Sequence, residues 1–145
     1  MISRILLPTD FSEHSRKCFD YIIKLKDCGI EEVIIMHVVD LKIIRETDII
    51  FDGEVDEDKV IERSIKQAEE KLKVFTEPLA ENGLRISFLV KIGNPCSEII
   101  RAADEMNVSM IVMGHRGHNL AEELLLGSNS EKVIRKSSKP VLLIK

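Results

Sequence analysis

Val33-Ile34-Ile35-Met36-His37-Val38-Val39 is almost wholly apolar, rich in β-branched residues and too short for a helix. It is predicted to be a strand buried on both faces, and such strands favour a parallel sheet covered by helices. The same signature recurs on either side. Ile2 to Leu7, stopped by Pro8, reads as the first strand, and Met110-Ile111-Val112-Met113 as the fourth. Ile86, Phe88, Val90 and Ile92 alternate with more polar residues, as expected of an edge strand with one poorer face. Pro140 opens the last strand, Val141 to Ile144.

Helical spacing fills the gaps. Ser12 is placed to cap a helix whose apolar positions are Cys18, Phe19, Ile22, Ile23 and Leu25, with Gly29 as its stop. Ile61, Ile65, Ala68, Leu72, Phe75 and Leu79 trace one face of a long helix, which Pro78 is expected to kink and Gly83 to end. Asn94 and Pro95 suit a cap and a first helical position before Ile99, Ile100, Ala103 and Met106. A short helix is expected around Ser130 to Lys136. Between about 40 and 58 the pattern breaks, and an insertion or lid is expected there, its acidic run Asp52 to Asp58 a solvated loop. Strands and helices otherwise alternate, which makes the fold a doubly wound α/β domain with helices on both faces of a five-stranded parallel sheet. Ligands in such folds sit at the carboxyl ends of the strands, where the strand order reverses.

At 145 residues the chain suits one globular domain, 1–145. With 44% hydrophobic and 32% charged residues, and a net charge of -4, neither disorder nor a polybasic nucleic-acid surface is indicated. Five phenylalanines, one tyrosine and no tryptophan argue against stacking platforms for single-stranded nucleic acid. No apolar run approaches the roughly 20 residues of a membrane span, and no leader pattern opens the chain, so a cytoplasmic protein without membrane contact is expected. Cys18, Cys28 and Cys96 lack the C-x-x-C spacing of a zinc or redox site and read as buried or half-buried thiols.

Two constellations can carry chemistry. Gly114-His115-Arg116-Gly117 follows the fourth strand, and after nine residues comes Gly127-Ser128-Asn129-Ser130 at a helix start. Glycines let backbone amides approach a ligand, and a helix N-terminus offers free N–H groups and a positive dipole end, so the two clusters could converge on one polyphosphate. The plainer reading makes these glycines a connector and a turn. Pro8-Thr9-Asp10 ends the first strand. Asp10 could accept from an adenine amino group or a ribose hydroxyl, could hold a metal through water, or could simply cap the first helix. His37, inside an apolar strand, reads as a satisfied core histidine, and His14 as solvent-facing.

The pattern G-x-x-G-x(9)-G-S, with Ile5-Leu6-Leu7-Pro8-Thr9-Asp10-Phe11-Ser12 ending the first strand and His37-Val38-Val39-Asp40 the second, resembles the ATP-binding branch of the universal stress protein family. The resemblance spans the chain, including Gly93-Asn94-Pro95 and Lys139 to Ile144. It implies an adenine nucleotide alpha hydrolase-like fold with strand order 3-2-1-4-5, and a homodimer formed through the C-terminal strand, Val141 to Ile144. It also implies ATP or another adenine nucleotide as ligand, with Mg²⁺ or Mn²⁺ as candidate metals, and an unidentified protein partner. Adenine and ribose contacts would fall on Pro8, Thr9, Asp10 and Val38, with Met113 and Gly114 beside them. Phosphate contacts would fall on Gly117, Gly127, Ser128, Asn129 and Ser130. Read from the residues themselves, His115, Arg116 and His118 make a cationic rim near the phosphates, the alternative being a histidine pair on a metal with no evident third ligand. Asn129 and His115 depart from the family pattern, though a backbone N–H at Asn129 is indifferent to its side chain.

The expected function is a nucleotide-dependent regulatory or stress-response module. The alternatives are a slow ATPase or a phosphoryl or adenylyl transferase, and a nucleotide-free interaction scaffold. G-x-x-x-x-G-K-[ST] is absent, so at most slow hydrolysis is expected, and no catalytic residue is assigned. His115-Arg116-Gly117-His118 matches the H-x-G-H of nucleotidylyltransferases but follows the wrong strand. The acidic run lacks EF-hand spacing. A dinucleotide-binding fingerprint would follow the first strand, and a receiver aspartate the third, where Ile92-Gly93-Asn94 stands instead.

Overall fold

Ile5, Leu6 and Leu7 are fully buried, and their neighbours explain the strand they form. In the computed structural model, which describes residues 2–50, 56–114 and 128–145, β1 (Arg4–Pro8) is the middle strand of a five-stranded sheet. β2 (Glu32–Asp40) pairs with it on one side and β4 (Met110–Gly114) on the other, both parallel. β3 (Arg85–Gly93) and β5 (Val141–Ile144) are the edges, giving the order β3-β2-β1-β4-β5. The edge position expected for the third strand is thus observed.

Alternation along the strands builds two cores. Ile5, Leu7, Val33 and Ile35 face one way and bury Cys18, Phe19 and Ile22 of α1 (Glu13–Lys24) together with Leu72 and Phe75 of α3 (Glu57–Phe75). Leu6, Ile34 and Met36 face the other way, against Ile99, Ala102 and Ala103 of α5 (Pro95–Glu105) and Val133 of α6 (Ser128–Lys136). Burying a side chain such as Leu72 contributes about 1.5–3 kcal/mol, which is why these faces and not helix propensity hold the layers.

Local chemistry sets the helix ends. Ser12 Oγ accepts the Ser15 N–H at 3.4 Å, and Asn94 Oδ1 accepts the Ser97 N–H at 3.0 Å with Pro95 opening α5, as the sequence predicts. Other boundaries differ. α1 ends at Lys24, and Gly29 at φ +97° closes a following 3-10 turn, Lys26–Cys28, not the helix itself. The long helix does not kink but stops at Thr76, whose hydroxyl donates to the Leu72 carbonyl at 2.8 Å. A separate turn, α4 (Glu77–Ala80), carries Pro78 at its second position and keeps Leu79 buried. Pro78 lacks the N–H that would continue the ladder, so the chain restarts there.

The segment expected to be an insertion or lid contains α2 (Leu41–Ile50), entered by Asp40, whose Oδ1 accepts the Lys42 N–H at 3.0 Å. α2 packs on α3 and β3, with Ile44 buried while Ile43 stays exposed. Part of the expected solvated acidic loop is likewise a helix start: Asp56 caps α3 through the Asp58 N–H at 3.1 Å, and Glu57 and Asp58 occupy its first turn, where the helix dipole favours them. Asp52 to Val55 lie outside the described residues.

Cys18 and Cys96 are buried as expected, and burial pushes the Cys18 thiol up to about 12. Cys28 is instead exposed, because it sits on the short turn beyond α1. No helix among the described residues is long and apolar enough to cross a membrane.

At the amino ends of the strands one carboxylate ties three of them together. Glu32 accepts from Ser87 Oγ at 2.5 Å and from Arg4 Nε at 3.0 Å, and Arg85 Nη2 lies 3.5 Å away. The Ser87 hydrogen bond, joined by the two guanidinium groups, holds the Glu32 carboxyl below its ordinary 4.5. A carboxyl depressed in the folded state adds stability that is complete above the unfolded value and is lost as pH falls through the folded one. Melting temperatures recorded from neutral pH downward should therefore drop below about pH 4.5. Glu32→Gln should melt lower at neutral pH but show a flatter acid limb; an equally steep limb would remove Glu32 from that role.

Candidate functional site

The strand order reverses between β1 and β4, because the chain leaves β1 toward β2 and β3 and then returns to β1's other side. In open parallel sheets the ligand crevice lies at that point, outside the carboxyl ends of the strands. Pro8, Thr9 and Asp10 reach it from β1, Met113 and Gly114 from β4, and the first turn of α6 stands over β4. Val38 lies two positions beyond Met36, the partner of Pro8, and so runs alongside the same edge.

The turn after β1 is held in detail. The Thr9 N–H extends the ladder to the Met36 carbonyl at 2.8 Å, and the Thr9 carbonyl accepts from His37 Nδ1 at 2.8 Å. Thr9 Oγ1 accepts the Phe11 N–H at 2.9 Å. Asp10 Oδ1 accepts the Ser12 N–H at 2.9 Å and the Ser15 hydroxyl at 3.0 Å. Asp10 is therefore not the helix cap itself; it orients Ser12, which is.

Across the crevice, the Ser130 hydroxyl donates to the Gly114 carbonyl at 3.0 Å and fixes the start of α6 to the end of β4. Ser130 and Met113 are buried, Val38 is half-buried and Asn129 is exposed. Of Ser128 the backbone is described, as the first residue of α6. Gly114 has a packing reason to lack a side chain, since a Cβ there would lie 3.1 Å from the His14 carbonyl oxygen. His14 is accordingly half-buried against β4 and not the solvent-facing residue expected. His115, Arg116, Gly117 and Gly127 lie outside the described residues.

Sequence reasoning brought Thr9, Asp10, Gly114 and Ser130 to one edge. It missed Ser15 as a partner of Asp10, although the spacing of Asp10, Ser12 and Ser15 is the signal of an Asx turn feeding a capped helix. It also missed Phe11, whose φ of +66° is exceptional for a bulky residue and has no sequence signature. Among the described residues no group of three His, Cys, Asp or Glu side chains is placed to hold a metal.

The Gly114 contact is testable. Gly114→Ala forces the new methyl against backbone, which cannot swing aside, and should destabilise the fold by about 1–3 kcal/mol in chemical denaturation. An unchanged midpoint would mean that α1 slides freely over β4.

Comparison with known proteins agrees with this fold. The family model described as "Universal stress protein family" matches residues 1–145. The chain is 33% identical over 155 residues to the universal stress protein MJ0577 of Methanocaldococcus jannaschii, covering 100% of this chain and 96% of that one, and the two structures superpose with a TM-score of 0.86. It is 31% identical over 148 residues to YxiE of Bacillus subtilis, covering 100% of both. Two more distant structures share the fold: an Archaeoglobus fulgidus universal stress protein in complex with dAMP, at 22% identity and a TM-score of 0.66, and a universal stress protein in complex with cAMP, at 19% and 0.68, which cover 100% and 99% of this chain and 100% and 96% of theirs. With the match running from the first strand to the last and the strand order the one the motifs imply, the chain belongs to the universal stress protein family.

Proposed function

We propose that the crevice between β1 and β4 binds an adenine nucleotide, ATP foremost, and that occupancy regulates what the protein presents to a partner in the cytoplasm. The observation that carries this reading is the convergence of the Thr9-Asp10 turn with Gly114 and the first turn of α6 at the one place where the strand order reverses. The base and ribose would meet Pro8, Thr9, Asp10, Val38, Met113 and Gly114. The phosphates would meet Gly117, Gly127, Ser128, Asn129 and Ser130, with His115 and Arg116 supplying positive charge at the rim. Adenine nucleotides bound by two relatives of the same fold support the ligand class.

A divalent cation, Mg²⁺ or Mn²⁺, fits as the companion of the phosphates. Asp10 offers a hard oxygen donor there, and its Oδ1 is already engaged by Ser12 and Ser15. Those two hydrogen bonds fix how the carboxylate is turned at the end of β1, which suits a binding role.

The test is to denature freshly purified protein, identify any released nucleotide by chromatography and mass spectrometry, and titrate the stripped protein with ATP. Recovered adenine nucleotide and saturable binding are expected, and Gly127→Val should abolish both by putting a branched side chain into the phosphate segment. A flat titration, or full affinity in Gly127→Val, rejects the nucleotide site and favours a scaffold.

The same proposal includes a homodimer through β5. That strand is an edge with Val141, Leu142 and Leu143 only half-buried, which suits pairing with a second copy. Light scattering should give twice the mass of the chain; a monomer's mass would remove this arm.

A further inference from the structure

We propose that His37 and Phe11 are positioning residues of the nucleotide site, locking the Thr9-Asp10 turn in the conformation that faces the crevice. The inference rests on the nucleotide reading above and adds to it residues that need touch no ligand.

Phe11 has a φ of +66°, a left-handed conformation that a bulky L-residue rarely adopts. Such strain persists only where the surroundings over-determine it. Here they do. The Phe11 ring lies 4.7 Å from the His37 ring, tilted by 38°, and meets the Phe75 ring edge-on at 5.5 Å. Lys71 Nζ stands 5.6 Å from the Phe11 centroid, so α3 closes the far side of the ring. The Phe11 N–H is taken by Thr9 Oγ1.

His37 holds the other side of the turn. A carbonyl can only accept, so the Nδ1 atom 2.8 Å from the Thr9 oxygen carries the proton. With its N–H on Met36 and its carbonyl on His37, Thr9 has both main-chain groups fixed by β2. One imidazole therefore uses its edge on the backbone of Thr9 and its face on the ring of Phe11. Without these contacts a ligand would have to order the polar Thr9-Asp10 turn on binding, at a cost in affinity; with them the turn is preorganised.

His37→Asn retains an N–H donor near the position of Nδ1, whereas His37→Leu keeps comparable bulk and donates nothing. Phe11→Gly relieves the left-handed strain and removes the ring. ATP affinity of stripped protein, measured by calorimetry beside the melting temperature of each variant, should be within about twofold of wild type for His37→Asn. It should be weaker by about tenfold for His37→Leu and Phe11→Gly, the loss expected for one hydrogen bond or one preorganised turn. A role in stability alone would let affinity survive in every variant that folds, and would give no rescue by asparagine.

Wild-type affinity in folded His37→Leu, or a loss in His37→Asn as large as in His37→Leu, overturns the proposal while leaving the nucleotide site intact. Failure of the wild type itself to bind ATP overturns both. Should His37→Leu not fold, Phe11→Gly and the ¹⁵N spectrum of the wild type decide: a proton on Nδ1 of His37 and weakened binding in Phe11→Gly support the clamp, and a proton on Nε2 alone, or full affinity in Phe11→Gly, overturns it.

Discussion

Everything else in the molecule follows from the burial of β1 on all sides. Ile5, Leu6 and Leu7 have no exposed surface, so their side chains need a helical layer on each face and their backbone needs a strand on each flank. The chain supplies the first flank with β2 and can reach the second only by crossing back over β1 after β3. That return sends the chain off the carboxyl ends of the paired strands β1 and β4 toward opposite faces of the sheet, α1 on one and α6 on the other, and the crevice of such a fold lies where they diverge. A sheet that grew in one direction only would have had no such gap beside its central strand.

The layers were legible because burial writes itself into periodicity. Val33 to Val39 and Ile2 to Leu7 announced strands covered on both faces, and Leu72, Phe75 and Leu79 announced one helical stripe, which stays buried across the break at Thr76. The break itself was misread because the stripe is a property of packing while the interruption belongs to the backbone: Pro78 withholds a donor and Thr76 caps what is left. α2 was missed for the opposite reason. Ile43 is apolar and exposed while Ile44 is apolar and buried, so the apolar residues there do not sort by face until α3 and β3 are in place to choose between them.

At the site, the residue types and the end of the sheet were legible, and the partners were not. Asp10 and Ser12 look alike as capping candidates in one dimension; only the geometry gives Asp10 the Ser12 N–H and the Ser15 hydroxyl, and gives Ser12 the helix. His37 was read correctly as a satisfied histidine, but its acceptor is a backbone carbonyl contributed by a residue 28 positions away, which no local pattern encodes. Gly114 shows how two demands can overlap at one position, since close approach of α1 already excludes a side chain there.

The ion-paired carboxylate at Glu32 sits at the opposite end of the sheet from the crevice. Four strand steps from Arg4 to Pro8 span about 13 Å, and the Glu32 charge is met at its own end of the sheet by Arg4 and Arg85. The sheet is in effect polarised into an anchoring end and a working end that hardly sense each other's charge. Arg4, Arg85 and Glu32 thus set how firmly the strands are tied without contributing a group to the edge where Thr9, Asp10 and Gly114 meet.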